Sequence, residues 1–551
     1  MEYKYKHSHT GRKLVLICLS LSLVFSGCKK FLDEVPTGTM TDQTEFTSAA
    51  DGAALAVGPY RSLALWVATA ADWGNYLPAT LEYPTGGAFT SDTHVQFWKF
   101  QTNQVSGDLL DDFNNQWKNW YQGQRDCNFS ISKLPGVTGM SESDRSKALG
   151  ETRTLRAFYY FCLVRYFGDV VMDTAILKNV TEAEQPRVSL KKIYDEIIIP
   201  DLEFAVNQSA LEDKKSADGR ITKYVARAIL ADVYLTCAGY PYQEVATDPA
   251  KKWCVDGLWT QQGYPVNTPS AKTFLKKAQE QLNVLYGKYT LGTYDDLHDP
   301  AMNNKGEAVF QAQFKDGVTD NSVVATSLPG LSHVSMFGDE YGTFIPAMAY
   351  INSYDPSDKR IQDRQMFYYS DTKSTKYDPK EGAAEDFGRP YLYKYYDKVA
   401  IKSSGHSGLN WTFYRYADIE LMLTEVNWAL RQLGEGVSDN DLIKGINDVR
   451  ARAELPAYRA SEINALTIFG ERACELVFEN KMLWDQRRTR LCLVYGDGQF
   501  AGIRNFIGYR PSDFSFSFAA MNLLSPVAGR EISTNAQCLQ NAGYLPKQAG
   551  Q

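Results

Sequence analysis

The stretch SESDRSKALGETRTLRAFYYFCLVRYFG runs from Ser141 to Gly168 and decides how the chain is read. Leu155, Phe158, Tyr159, Cys162, Leu163, Tyr166 and Phe167 recur at steps of three and four, the spacing that lines up one face of an α-helix. Ser141 suits the helix start and Gly168 its end. The same period returns at Val225, Ile229, Leu230 and Val233, at Ile419, Met422, Leu423 and Val426, and at Ala473, Leu476, Val477, Leu483 and Trp484. Further helices are expected near 107–133, 188–208, 271–286 and 438–453. Amphipathic helices in this number predict stacked hairpins in the manner of tetratricopeptide repeats, although no clean 34-residue period is visible.

Around the helices lie long stretches without period, near 60–105, 239–268, 290–410 and 490–530. They are rich in Gly, Pro, Asn, Asp and aromatics, a composition of ordered loops and short strands. Loops this long in a compact protein usually carry function. The expected architecture is mainly α: a scaffold from about 107–290 and 410–490, with the irregular segments forming a ligand-binding face.

The N-terminus reads as an address. An apolar run at 14–26 follows Lys4, Lys6, Arg12 and Lys13, and it is too short to cross a bilayer as a helix. It stops at Ser26-Gly27-Cys28, which looks like a bacterial lipobox with Phe25 where Leu is more usual. Residues 1–27 are thus expected to be a signal peptide, residues 28–551 one domain, and Cys28 the site of lipid attachment. Removing 1–27 takes away four of the 58 Lys and Arg and one of the 65 acids, so the remainder carries −10. That surface repels phosphate backbones and argues against a nucleic-acid partner.

Seven cysteines remain besides Cys28, with no C-x-x-C, and four isolated histidines: His94, His298, His333 and His406. No zinc spacing, nucleophile elbow, P-loop or dinucleotide fingerprint occurs, so neither metal nor cofactor is expected. Asp418 and Glu425, and Glu471, Glu475 and Glu479, could pair for acid/base cleavage of a glycoside. Arg415, Arg472, Arg487 and Arg488 sit beside them, and such alternation more often makes structural ion pairs, so no catalytic residue is assigned. Asp295, Asp296 and Asp299 lack EF-hand spacing and read as solvated loop.

Between Trp66 and Phe100 eight of 35 residues are aromatic, nearly twice the chain's 13%. Flat rings offer apolar faces to the C–H faces of sugars, and nearby amides and carboxylates bond the hydroxyls. Most of these rings are expected in the core. Trp73, Tyr76 and Trp98 are the preferred exceptions, because polar neighbours including Asp92 flank them; Trp259, Tyr264 and Tyr341 are candidates from later loops.

Several segments together resemble the SusD/RagB family. Cys28-Lys29-Lys30-Phe31-Leu32-Asp33 with Pro36 is similar to its mature N-terminus. Thr154-Leu155-Arg156-Ala157-Phe158-Tyr159-Tyr160 running to Phe167-Gly168-Asp169-Val170 resembles its first helix motif, with Val171 in place of a proline. Gly219-Arg220 with Thr222, Ala226, Ala231, Tyr234 and Leu235 resembles the next. Arg415-Tyr416-Ala417-Asp418 with Glu425 and Asn427, then Val449-Arg450-Ala451-Arg452-Ala453, match its C-terminal helices. Glu471-Arg472, Glu475-Leu476, Phe478-Glu479 and Trp484-Asp485 follow, with Asn480 and Met482 departing from the pattern, and Gln540-Asn541-Ala542-Gly543-Tyr544 closes the series. The resemblance implies a surface-exposed, non-catalytic glycan-binding lipoprotein of an outer membrane, partnered with a TonB-dependent, SusC-like transporter. It also implies that a recognition aromatic lies in the region of Trp73 to Trp98. A surface glycoside hydrolase, a receptor for peptides or other nutrients, and a structural adaptor are the competing classes.

Overall fold

A computed structural model describes residues 45–65, 77–90, 111–177, 179–244, 263–330, 332–337, 340, 342–373, 382–512 and 514–544. From Ser48 onward these residues form one unit. Its first helix, α1 (Ala49–Val57), opens with a reciprocal cap in which Ser48 and Asp51 bond each other's backbone N–H. Sequence periodicity does not reveal α1, because it is short and mostly exposed.

The scaffold continues with α2 (Leu77–Glu82), α3 (Asp111–Lys133) and α4 (Glu142–Phe167). As expected, the Ser141 hydroxyl accepts the Asp144 N–H and Gly168 ends α4, at a positive φ of 79°. The apolar stripe, however, is wider than the spacing suggests: from Ala157 to Val164 every side chain of α4 is buried. A helix covered on all sides is packed on all sides, and α4 is contacted by α1, by α3 and by α5 (Ile199–Asn207). The helix expected over 188–208 is interrupted by a wide π turn at Tyr194–Ile198. Pro200 explains it: proline lacks the N–H for an α-type bond, and its ring clashes with the carbonyl four residues back.

Next come α6 (Lys223–Cys237), α7 (Pro269–Leu285), α8 (Tyr416–Gln432) and α9 (Asp439–Arg452). Consecutive helices pack on one another from α5 through α9. At Gly445 the α8–α9 approach is so close that a Cβ would lie 2.3 Å from the Glu420 carbonyl oxygen. This order of contacts is the stacked-hairpin arrangement predicted above.

The stripe from Ala473 to Trp484 is two helices, not one. α10 (Ala465–Glu475) stops, and α11 (Met482–Thr489) starts after a turn in which Phe478 and Asn480 adopt φ of 57° and 60°. A left-handed phenylalanine is unfavourable on its own. Here the Tyr395 hydroxyl donates to the Phe478 carbonyl at 2.6 Å, and the Phe478 ring packs edge-on against Phe344.

The irregular segments hold short antiparallel ladders: β1 (Ala88–Phe89) with β3 (Ile345–Pro346), β2 (Ala308–Ala312) with β6 (Trp411–Arg415), β4 (Phe367–Thr372) with β5 (Ala384–Leu392), and β7 (Leu491–Val494) with β8 (Gly502–Asn505). The 514–544 segment returns to α4. Ser525 N donates to the Tyr166 carbonyl at 2.8 Å, and Asn541 Nδ2 donates to the Phe167 carbonyl at 2.9 Å, which satisfies acceptors that a helix end leaves open. Cys127, Cys162, Cys237, Cys474, Cys492 and Cys538 are free and buried, and burial pushes the Cys162 and Cys538 thiols up to about 12.

Candidate functional site

The frame from which the aromatic loops spring is well defined. Tyr83 is fully buried and its hydroxyl donates to the Thr343 carbonyl. Phe89 pairs with Ile345, and Ala347 N donates to the Gly87 carbonyl at 2.9 Å. In this antiparallel ladder the residues after Phe89 and those before Ile345 leave at the same end. Asp92 follows Phe89 by three residues and Tyr341 precedes Ile345 by four. Glu340 is buried and gathers the N–H groups of His333 (2.6 Å) and Ser335 (2.8 Å) on its carboxylate.

Cys28, Trp73, Tyr76, Asp92, Trp98, Trp259 and Tyr341 lie outside the described residues. Tyr264 is described, and it is tied to the scaffold. Its hydroxyl donates to Glu425 Oε1 at 2.5 Å and accepts from Arg488 Nη1 at 3.2 Å, while its ring packs against Trp428 and Phe469. Its hydroxyl is thus held by the scaffold, while the residue as a whole is half-buried. The described tryptophans, Trp117, Trp120, Trp411, Trp428 and Trp484, are all buried.

The carboxylates that could have paired for catalysis are locked onto guanidinium groups. Arg415 donates to Glu479 through Nε (2.9 Å) and Nη2 (2.7 Å) and to Glu475 Oε1 through Nη1 (2.8 Å). Glu471 bonds Arg360 at 2.7 Å and Arg450 at 2.9 Å; Glu425 bonds Arg488 at 2.5 and 2.7 Å. Asp418 pairs with Arg472 at 3.0 Å and Lys481 at 2.7 Å. Burial opposes ionisation of Glu475, but Arg452, Arg415 and Arg360 outweigh it and hold the carboxyl down at about 2. Glycoside cleavage needs one carboxyl poised to donate a proton and another facing the sugar. These buried, fully paired groups do neither.

Arg360, Asp358, Glu307 and Lys394 belong to the same network and come from irregular stretches where no period marks them. Glu420 goes the other way: buried on α8 near Asp448, it is pushed up to about 9 by desolvation and that neighbour. The acidic loop is structural. Asp296 accepts the Thr293 N–H at 3.0 Å, Asp299 the Ala301 N–H at 2.8 Å, and Asp295 lies 3.3 Å from Lys398. Among the described residues Asp316, Asp320 and His406 bring potential ligand atoms within 4.8 Å of one another, on the surface.

Comparison with known proteins agrees with the sequence motifs. The model of the SusD family matches residues 256–544, and one described as "Starch-binding associating with outer membrane" matches 30–235. SusD-like protein P2 of Formosa agariphila is 24% identical, over 97% of this chain and 99% of the relative. A SusD superfamily crystal structure from Parabacteroides distasonis is 31% identical with a TM-score of 0.80, covering 91% of this chain and 100% of that one. Surface glycan-binding protein A from Bacteroides thetaiotaomicron, solved with laminarihexaose, shares the fold at 20% identity and a TM-score of 0.65, covering 90% and 100%. A helical scaffold of this order, the Arg415 to Asp485 motifs folded into its buried ion network, and matches spanning nearly the whole chain lead to one conclusion: the chain belongs to the SusD family.

Proposed function

We propose that the protein is a non-catalytic glycan-binding lipoprotein of the outer membrane, anchored through Cys28, that hands its ligand to a TonB-dependent, SusC-like transporter. The observation that carries the non-catalytic part is the complete pairing of Glu425, Glu471, Glu475 and Glu479 with buried arginines. The glycan class is supported by family membership together with solved neighbours of the same fold, among them a laminarin-binding SusD-like protein at 21% identity and the laminarihexaose complex. Anchorage and transporter pairing are supported by the lipobox-like Ser26-Gly27-Cys28 and by the resemblance itself. The recognition surface is assigned to the loops carrying Trp73, Tyr76, Asp92 and Trp98, with Trp259, Tyr264 and Tyr341 as further candidates.

Incubation with a panel of neutral oligosaccharides, read by calorimetry and by product analysis, separates the classes. A receptor binds without turnover. Release of new reducing ends that disappears in Glu475→Gln or Glu425→Gln overturns the proposal in favour of a hydrolase, and binding of peptides alone overturns the ligand class. Mild detergent extraction from the native membrane followed by pull-down tests the partner: recovery only as a free monomer, with other outer-membrane complexes intact, refutes that part.

A further inference from the structure

An open cleft of about 220 Å³ lies where the turn after α9 and the N-terminal part of α10 meet the 355–360 and 498–500 segments. None of its walls carries a predicted recognition aromatic. Its floor is Arg360, Asp358 and Glu471, all buried and mutually paired, so the floor has no charge left to recruit an ion.

The rim is different. Asp355 uses Oδ1 for the N–H and hydroxyl of Ser357 (2.8 and 2.7 Å), which leaves Oδ2 open. Arg450 uses Nε for the Pro456 carbonyl and Nη1 for Glu471, which leaves Nη2. The exposed Gln499 amide and the Tyr458 hydroxyl make no hydrogen bond among the described residues. Two half-buried rings stand among these groups. Arg450 lies over Tyr458 at 3.8 Å from the ring centroid and fixes it. Phe500 is backed by Tyr350 and Tyr495, with centroids 6.2 Å away, and sits so close over Gly470 that a Cβ there would meet it at 3.1 Å.

A fixed ring edged by both donors and acceptors matches a polyhydroxyl ligand, whose every hydroxyl donates and accepts. With three carboxylates and two guanidinium groups in the lining, an anionic ligand is disfavoured. We propose that this cleft is a second, separate saccharide-binding site, taking a neutral sugar against Phe500 with its hydroxyls on Asp355, Arg450, Tyr458 and Gln499. The ligand class rests on the glycan reading above; the location does not.

Saturation-transfer NMR tests it with glucose, galactose, mannose, xylose and laminarihexaose, and with galacturonate and tetraglycine as the charged and peptide arms. The proteins are the wild type, the loop variant W73A/W98A, and both combined with Gln499→Trp, which fills the cleft, or Asp355→Asn, which keeps the turn's acceptor. At least one neutral sugar should still bind the loop variant, lose that binding with Gln499→Trp, and bind about tenfold more weakly with Asp355→Asn. Sugar binding that vanishes in W73A/W98A alone overturns the cleft and leaves the loop assignment standing. Binding that survives W73A/W98A but ends with Gln499→Trp supports the cleft, whatever becomes of the loops. Transfer unaffected by Gln499→Trp, transfer only to tetraglycine or galacturonate, or no transfer to the loop variant refutes it.

Discussion

Arg415, at the end of β6, and Glu479, 64 residues later in the turn between α10 and α11, face each other as a two-pronged ion pair with both side chains buried. The pair ties the irregular 290–410 region to the helical scaffold, because Arg415 also reaches Glu307 at 3.0 Å. Removing one partner strands several charges away from water, a loss that typically costs about 3–5 kcal/mol. Arg415→Met and Glu479→Gln should each lower the unfolding free energy, read from urea titration, by such an amount. The double variant should lose clearly less than the sum, and additive losses would refute the coupling.

Ring substitutions should sort by position. Trp411 is buried and stacks on Tyr395 at 5.5 Å, so Trp411→Ala should cost about 3–5 kcal/mol while the folded fraction binds glycan normally. Trp98→Ala should do the reverse: unchanged melting, and affinity down by about thirtyfold or more. Unfolding of the Trp98 variant with normal residual binding would move that ring into the core and out of the site.

Glu420 predicts an alkaline loss of stability. Its folded value is raised from the ordinary 4.5 to about 9 by burial and Asp448. The folded state therefore keeps a proton that the unfolded chain has released, and stability from this group declines as pH rises from 4.5 and is gone above 9. Glu420→Gln should flatten that limb of a pH–stability curve. An unchanged slope would refute the assignment.

Glu475 predicts the acid limb with the opposite sign. Held down to about 2 by three arginines, it contributes above pH 4.5 and loses that contribution as pH falls towards 2. In Glu475→Gln the acid-side decline should be shallower, on a lower plateau.

Cys28→Ala should abolish metabolic labelling by a fatty-acid analogue, since stable anchoring requires more than one acyl chain on that residue. Equal labelling of both proteins would remove the lipoprotein reading.

The sequence makes the scaffold legible wherever local signals act alone. Ser141 and Gly168 bound α4 because a cap and a left-handed glycine are chosen by their own few atoms. The break at Phe478 is invisible in the pattern, because it depends on Tyr395 and Phe344, which lie more than 80 residues away. The arginine–carboxylate pairing of the C-terminal motifs is readable from their alternation. Arg360 and Glu307 are not, because they reach the network from stretches without period. The hydrogen bond of Tyr264 to Glu425 is hidden for a similar reason, since the two lie 161 residues apart.

The bonds from Ser525 and Asn541 to the last carbonyls of α4 make the middle of the chain depend on its far end. Asn541 is 374 residues downstream of Phe167 and shares its carbonyl with Arg187, 20 residues downstream at 3.2 Å, so the helix end is closed first from nearby and completed only by the far end of the chain. A chain cut before residue 525 would lose the Ser525 and Asn541 bonds while keeping those from Arg187 and Arg487, so the helix end should fray more readily without coming undone.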